Sequence, residues 1–333
     1  MNKIHAILAY TIATFISVTA YEFYQGFLYD YNFGFAILGF QVIMLIVLRL
    51  IYPIIENKVL GTLRITDTVG NVTIKEALKR QFLPVIYLGI SSCIKFSLML
   101  PFLHNLHSSL LFIIFFSLSG LAKVPFAVWV FKDEIVNPRL YWIGLLIATI
   151  GGIAFSINPS SPQNLFNHNE GLLLLMALIK TPFEIFDSIL GRYITTKKMS
   201  LERTISVKSV EEIKSFITIF FGLFMGLWLY FNGLSLNVLP NERQWIGILW
   251  IGIVVTIAVT LSSRLVVEIT HTVSQPIQSI RPLFGFIPLV IFYISNGGNS
   301  QDLIYKFLCI VVILIGVWLC LKYGNPLKIK TEI

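Results

Sequence analysis

The chain has 333 residues, of which 56% are hydrophobic and only 13% are charged. Soluble domains usually carry about 25% charged residues, so this composition excludes an ordinary water-soluble domain and indicates that lipid covers much of the surface. The net charge of +8 does not favour a nucleic-acid-binding protein, because the basic residues lie beside apolar segments. The three cysteines lie in apolar segments and are odd in number, which disfavours a disulfide framework.

Ten apolar stretches follow one another along the chain, each close to the roughly 20 residues that a helix needs to cross a bilayer. The first has no small-residue cleavage motif after it, which favours a membrane span over a signal peptide. The sequence therefore predicts an all-α integral membrane protein with ten transmembrane helices. In chain order, the predicted spans are 5–27, 32–52, 81–101, 104–131, 139–157, 170–190, 212–232, 243–263, 269–294 and 303–322.

Basic residues concentrate in every second loop. Among lysines and arginines, the opposite side has only Arg243 and the span-edge residue Lys306. The positive-inside rule then predicts that both termini are cytosolic, in the Golgi or ER membrane of a eukaryote or the plasma (inner) membrane of a bacterium. The basic side carries Lys3, Lys58, Arg64, Lys75, Lys79, Arg80, Lys132, Arg139, Arg192, Lys197, Lys198, Arg203, Lys208, Lys214, Arg264, Lys322, Lys328 and Lys330.

Two longer loops, about 54–80 and 191–211, lie on the predicted cytosolic side. Both carry charges of either sign, so we expect a solvated surface there. Residues 73–80 are also compatible with a short amphipathic helix that leads into the third span.

The chain contains an internal repeat. An offset of 164 residues aligns His107 with His271, Tyr141 with Tyr305 and Gly152 with Gly316. A chance match between two apolar segments is the alternative to a duplicated unit of five helices. Because five is odd, a second copy enters the membrane upside down, as in many transporters. The predicted repeats are 1–160 and 161–333.

Two stretches resemble a known family. The run Lys123-Val-Pro-Phe-Ala-Val-Trp-Val-Phe-Lys-Asp-Glu134, followed by Ile143-Gly and Gly151-Gly-Ile-Ala154, is similar to the repeat ending of the drug/metabolite transporter superfamily, which includes the EamA-like proteins. The segments 81–97 and 315–323 resemble its sugar-phosphate and nucleotide-sugar branch. The second copy departs from the pattern, because its loop at 296–302 lacks the Lys-Glu pair. The resemblance implies ten helices in two inverted repeats and a transport function.

Charged residues inside the spans are the main functional signal, because a charge at the bilayer centre costs several kcal/mol unless it faces a cavity or a partner. Arginine and lysine suit phosphate or carboxylate groups. With four cations against three acids, the spans favour an anionic or zwitterionic solute. The four cations are Lys95, Lys123, Lys180 and Arg281, and the three acids are Glu22, Glu184 and Asp187.

The sixth and ninth spans carry the deepest of these charges. Lys180 and Glu184 are four residues apart and share one helix face, and Asp187 follows three residues later. A purely structural ion ladder is the alternative for this group. Around Arg281 the ninth span is polar and contains Pro276, Pro282 and Pro288, and backbone carbonyls freed by proline are tolerated only against protein or water. That span is predicted to line a solvated cavity.

A second candidate site lies in the first span, where Glu22 is followed by Tyr24 in a suddenly polar run. An aromatic belt at the outer interface is the alternative. His104 and His107 lack a third ligand nearby, and phosphate-binding Gly-rich motifs are absent from the sequence, so neither a metal site, a cofactor nor an enzyme is predicted.

The sequence therefore predicts a secondary carrier, with the lipid bilayer and a small-molecule metabolite as partners. The solute is expected to be an organic anion such as a nucleotide-sugar or a phosphorylated sugar, moved by alternating access, with antiport left open as its mode. The rival is a proton-coupled EamA-type exporter of amino acids or drug-like metabolites. A homodimer through Gly222-x-x-x-Gly226 competes with intramolecular packing of that face. Predicted solute contacts are Lys95, Lys123, Lys180, Arg281, Gln278, Glu22 and Tyr24, and predicted coupling or gating residues are Glu184, Asp187 and Pro282.

Overall fold

The computed structural model describes residues 3–27, 32–63, 72–104, 122–156, 168–196, 204–233, 239–280 and 300–324, together with Leu283 and Val290. These residues are almost entirely helical. Eleven helices lie within them: α1 (Lys3–Phe27), α2 (Phe33–Leu50), α3 (Tyr52–Leu63), α4 (Ile74–His104), α5 (Ala122–Phe131), α6 (Pro138–Ser156), α7 (His168–Thr195), α8 (Val207–Phe231), α9 (Glu242–Ile269), α10 (His271–Gln278) and α11 (Ser300–Tyr323).

Five of these helices, namely α2, α6, α8, α9 and α11, are long and apolar enough to cross a membrane. Their outward faces carry large apolar side chains. Phe224 on α8 is 70% exposed, and Trp318 on α11 is 56% exposed. Contiguous apolar surface of this kind is covered by lipid in membrane proteins. The fold is therefore that of a helical protein with several membrane-length helices, consistent with a multi-pass membrane protein.

The chain divides into two compact units, and each unit takes segments from both halves of the sequence. The first consists of Met1–Asn2, Ile12–His104 and Leu190–Val267, and the second of Lys3–Thr11, Asn105–Ile189 and Glu268–Ile333. The predicted repeat boundary at residue 160 stays a prediction.

In the first unit, α2 packs antiparallel against α8 through glycines. A methyl group at Gly34 would strike the backbone of Gly226, and one at Gly222 would come within 2.8 Å of Leu38 N. The backbones therefore approach as closely as small residues permit. Asn32 caps α2 by accepting from Phe35 N and also donates to Gly226 O at 3.0 Å. The Gly222 and Gly226 face is thus packed within the chain, as the intramolecular alternative predicted.

Side-chain contacts also fix the directions of α9 and α4 in the first unit. Gly39 faces Ile248 and Gly252 faces Ile43, so α2 and α9 are parallel. α4 is parallel to α8, with Ser209 Oγ donating to Val72 O at 3.0 Å near the beginnings of both helices. The core that α4 shares with α8 also includes Ile194 from the end of α7 and Ile205 from the segment before α8. Its buried residues are Ala77, Val85, Leu88, Ile194, Ile205, Val210 and Ile213.

In the second unit, α6 and α11 lie antiparallel. A methyl group at Gly144 would come within 2.8 Å of Gly316 O, and one at Gly151 within 2.8 Å of the Ile313 side chain. At the other end of the pair, Val136 N donates to Tyr323 O at 3.0 Å. These close contacts make α6 and α11 the framework of this unit.

In the two longer loops, the predicted short helix is present, but part of the charged surface is buried. A short helix precedes the third span as predicted, because α4 begins at Ile74 and has non-helical angles at Gln81. The expectation of a solvated charged surface is wrong for Glu56 and Glu211, which are 4% and 8% exposed. Glu212, the first residue of the predicted seventh span, is 6% exposed. All three acids have a partner close along the chain.

Each of these three acids has a hydroxyl donor or a lysine three or four residues away. Tyr52 Oη donates to Glu56 at 3.1 Å. Lys214 Nζ lies 2.8 Å from Glu211, and Lys208 Nζ lies 3.8 Å from Glu212. Helical spacing of three or four residues brings such pairs onto one face, which lowers the cost of burying them.

Candidate functional site

A buried ionic cluster joins α5 and α7 in the second unit. The Glu184 carboxylate lies between two lysines: Lys180 Nζ is 3.3 Å from one oxygen, and Lys123 Nζ is 3.7 Å from the other. The lysine side chains are only 5% and 7% exposed, whereas that of Glu184 is 21% exposed. The carboxylate is thus the more accessible member, and the ammonium groups lie deeper.

The cluster combines one contact within a helix and one contact between two helices. Lys180 and Glu184 meet because α7 places residues i and i+4 on one face. Lys123 comes from α5, whose next residue, Val124, is fully buried against Tyr141 and Leu145 of α6. Hydrophobic packing of α5 therefore holds Lys123 in position beside α7.

The three side chains carry one net positive charge in an apolar helical environment. A buried lysine without a partner is costly, and one shared carboxylate lowers that cost for two lysines at once. Such a site can accept an anionic group, because a guest carboxylate or phosphate can replace Glu184 beside the lysines.

A polar helix lies in the same unit. His271, Thr272, Ser274 and Gln275 of α10 are each at most 2% exposed, although all are polar. α10 is separated from α9 by Thr270, whose φ of 69° lies in the left-handed region. The ninth predicted span is therefore interrupted at its beginning, and its first helical turns present polar groups to the protein interior.

The polar side chains of α10 differ in their hydrogen bonding. Ser274 Oγ and Gln275 Oε1 are buried and make no hydrogen bond within the described part of the chain. Gln278 Nε2 donates to Tyr10 Oη of α1 at 2.6 Å. Buried polar atoms are normally satisfied, so atoms of this kind are candidates for contact with a ligand.

The structure brings together three of the predicted site residues, namely Lys123, Lys180 and Glu184. Gln278 lies on α10 and Asp187, with a buried Oδ1 atom, lies one turn beyond Glu184 on α7. Lys95 is half-buried on α4 in the first unit.

The remaining site predictions fall outside what the structure describes. Arg281 and Pro282 lie outside the described residues. Glu22 and Tyr24 lie on α1, but their side chains are outside the described part. These assignments stay predictions.

Sequence reasoning overlooked Tyr10, Tyr141, Ser274 and Gln275. The sequence contains a signal for one of them, Tyr141. Pro276 leaves a helix carbonyl without its usual donor, and a buried carbonyl of this kind needs a polar partner from elsewhere in the fold. The contact between Lys123 and Glu184 had no local signal, since 61 residues separate them in the sequence.

Similarity to known proteins supports the fold and gives no information on the function. No protein-family model matches the chain, and no curated protein matches it. One solved structure, described as a crystal structure of a protein, is similar with a TM-score of 0.62 at 13% identity, covering 96% of this chain and 97% of that chain. At this level of identity the likeness shows that nearly the whole chain adopts a fold that is already known.

Proposed function

We propose that the protein is a secondary transporter with ten membrane spans that moves a small organic anion by alternating access. Five apolar helices of membrane length support the multi-pass architecture. α1, α4 and α7, with 25, 31 and 28 residues, are also long enough to cross a hydrocarbon core of about 30 Å. α5 and α10 are the described parts of the predicted fourth and ninth spans.

The packing of α6 against α11 supports the proposed inverted repeats. The 164-residue offset aligns these two helices, with Tyr141 matching Tyr305 and Gly152 matching Gly316. Inverted copies related by an axis in the membrane plane place equivalent helices in opposite directions. α6 and α11 are antiparallel, and glycines of both lie at their contact.

The cluster of Lys123, Lys180 and Glu184 is the observation that carries the anion assignment. Two buried ammonium groups share one carboxylate within 3.7 Å. A guest anion that displaces Glu184 gains both lysines, and the strong burial of the lysine side chains suits a phosphate or carboxylate partner.

The polar face of α10 provides the second half of the proposed site. Ser274, Gln275 and Gln278 are uncharged and offer both donors and acceptors, which suits the hydroxyl groups of a sugar. The anionic end of the solute would then meet the lysines and the hydroxylated part would meet α10. This pairing favours a sugar phosphate or nucleotide-sugar among the organic anions. Arg281 is proposed as a further cationic contact, and the assignment of Lys95 stays a prediction.

Exchange of one anion for another follows from the same charge arrangement. When the solute leaves, Glu184 again pairs with the two lysines, and a second anion lowers the cost of returning the cationic site across the membrane. We therefore propose antiport, with both termini in the cytosol as the distribution of basic residues predicts.

Flux into proteoliposomes tests this function. Vesicles loaded with a sugar phosphate, a nucleotide-sugar or inorganic phosphate should take up labelled anion faster than empty vesicles. Lys123→Gln and Lys180→Gln should each raise the half-saturating concentration by about tenfold or more, the effect of losing one charge-assisted hydrogen bond. Lys58→Gln, which changes an exposed lysine on α3, is the matched control and should leave flux unchanged. Normal flux in both cluster variants would reject the site.

Proton-coupled export is the second candidate, because Glu184 and Asp187 are carboxylates within a predicted span. It predicts uptake that requires a pH gradient, needs no anion on the other side and disappears in Glu184→Gln. Anion exchange predicts trans-stimulation at equal pH. Arg281→Ala and Lys95→Ala, measured in the same vesicles, test the proposed contact and the predicted one outside the cluster.

A further inference from the structure

The first turns of α10 contain a carbonyl that its own helix cannot satisfy. In an α-helix, the N–H of residue i donates to the carbonyl of residue i−4, and proline has no N–H. Pro276 lies inside α10, four residues after Thr272. The Thr272 carbonyl is therefore deprived of the donor that any other residue at position 276 would supply.

Tyr141 of α6 supplies the missing donor. Its hydroxyl donates to Thr272 O at 2.9 Å, across 131 residues of sequence. The donor and acceptor are both buried, since Tyr141 is 0% and Thr272 is 1% exposed. A neighbouring helix thereby replaces the bond that proline removed, which is how proline is tolerated inside membrane helices.

The position of the Tyr141 ring is fixed by its surroundings. A methyl group at Gly324 would touch the ring at 3.1 Å, and the ring meets Trp142 edge-on with centroids 5.4 Å apart. Cys320 Sγ donates to the Tyr141 carbonyl at 3.4 Å. These contacts anchor Tyr141 on the α6–α11 pair, so its hydroxyl has little freedom to follow α10 if α10 moves.

The junction before α10 adds a second reason why this helix needs an external support. Thr270 has a φ of 69°, and a β-branched residue disfavours the left-handed region. Its hydroxyl hydrogen-bonds to that of Thr272, two residues later, at 2.7 Å. A strained linkage and a missing hydrogen bond thus occur within the same turn, next to Ser274 and Gln275.

We propose that Tyr141 is a positioning residue that holds the polar face of α10 in its binding geometry by replacing the hydrogen bond that Pro276 removes. The functional part of this inference rests on the proposed role of α10 in solute binding. The physical part, that the hydroxyl matters because residue 276 is proline, stands without it.

A double-mutant cycle on Tyr141 and Pro276 tests the inference. Tyr141→Phe removes the donor and leaves the carbonyl unsatisfied. Pro276→Ala restores the backbone N–H, so in that background Tyr141→Phe should have little effect. Tyr305→Phe is the matched control: Tyr305 is aligned with Tyr141 by the repeat, and it donates to Ala154 O at 2.9 Å, in the last turn of α6.

Thiol labelling at Ser274→Cys reports the position of α10 without any assumption about flux. Ser274 is 0% exposed, so labelling should be slow, with the chain that has only its native cysteines as background. Tyr141→Phe should raise the labelling rate about tenfold, as expected when a buried hydrogen bond is lost. Adding Pro276→Ala should restore slow labelling, and Tyr305→Phe should leave the rate unchanged.

In flux assays, Tyr141→Phe should raise the half-saturating concentration more than it lowers the maximal rate, and Pro276→Ala should reverse that change. If Tyr141→Phe fails to fold, rescue of folding by Pro276→Ala supports the proposal, and failure of the double variant overturns it. Equal labelling effects of Tyr141→Phe with and without Pro276→Ala also overturn it. Absence of flux in the unmodified protein would reject the transport function while the labelling cycle still decides the role of Tyr141.

Discussion

Replacing Glu184 by glutamine should destabilise the protein more than removing either of its lysine partners. Glu184→Gln leaves two ammonium groups, 5% and 7% exposed, without their shared counter-charge. Lys123→Met or Lys180→Met leaves the carboxylate still paired with the other lysine. The ranking follows from the geometry alone, since one acid serves two bases at 3.3 and 3.7 Å.

The magnitude can be bounded from the same burial. Breaking a buried ion pair from one side costs about 3–5 kcal/mol, because the remaining charge is desolvated and uncompensated. Because 21% of the Glu184 side chain is exposed and its burial is incomplete, the lower end of that range, about 3 kcal/mol, is appropriate. Removal of one lysine should cost about 1 kcal/mol, the value of a pair whose charge remains compensated.

Thermal and denaturant unfolding of the detergent-solubilised protein measures this difference. Glu76→Gln is the matched control, because it removes an acid from an exposed helical ion pair with Arg80, and it should change stability little. The reasoning is refuted if Glu184→Gln costs no more than Lys123→Met or Lys180→Met.

Two further predictions concern the packing of α2. Gly34→Ala should lower the free energy of unfolding by about 1–3 kcal/mol, because a methyl group there meets the backbone of Gly226, whereas Gly61→Ala on α3 meets nothing within 4 Å and should raise it by up to about 1 kcal/mol. Asn32→Ala should cost about 1–2 kcal/mol, since it removes both a helix cap and a buried bond to Gly226 O, and Asn232→Ala, which removes an exposed bond, should cost less. Unfolding of the four variants side by side checks both pairs, and equal effects within either pair would contradict the structure.

The architecture was predictable where local sequence decides the outcome. A stretch of 18 residues in which only Gln41 and Arg49 are strongly polar, as in α2, excludes most alternatives to a membrane-length helix. The short helix before the third span was predictable for a similar reason, because its periodicity is contained in seven residues. The pairing of Lys180 with Glu184 followed from helical spacing, and the 3.3 Å separation of their charged atoms confirms it.

Contacts between distant segments were not predictable in the same way. Nothing near Lys123 in the sequence indicates that it meets Glu184, because their proximity depends on how α5 packs against its neighbours. The burial of Glu211 was likewise hidden, since its mixed-charge surroundings resemble a solvated loop. For the Thr272 carbonyl, the sequence predicts only part of the result. The proline four residues later shows that the usual donor is missing, but only the fold identifies Tyr141 as its replacement.

The ionic cluster admits a structural and a functional interpretation, and Glu184→Gln separates them through ligand binding. If the cluster only stabilises the fold, anions should affect the variant and the unmodified protein alike. If it binds the solute, an anion must displace Glu184 in the unmodified protein but meets the two lysines without that competitor in the variant. The variant should then bind the anion more tightly and gain more stability at the same anion concentration. An anion at 100 times the dissociation constant of the form it binds adds about 2.7 kcal/mol. Thermal shifts with inorganic phosphate or a sugar phosphate, against chloride at equal ionic strength, measure that gain. A gain in the variant no larger than in the unmodified protein would assign the cluster to folding alone.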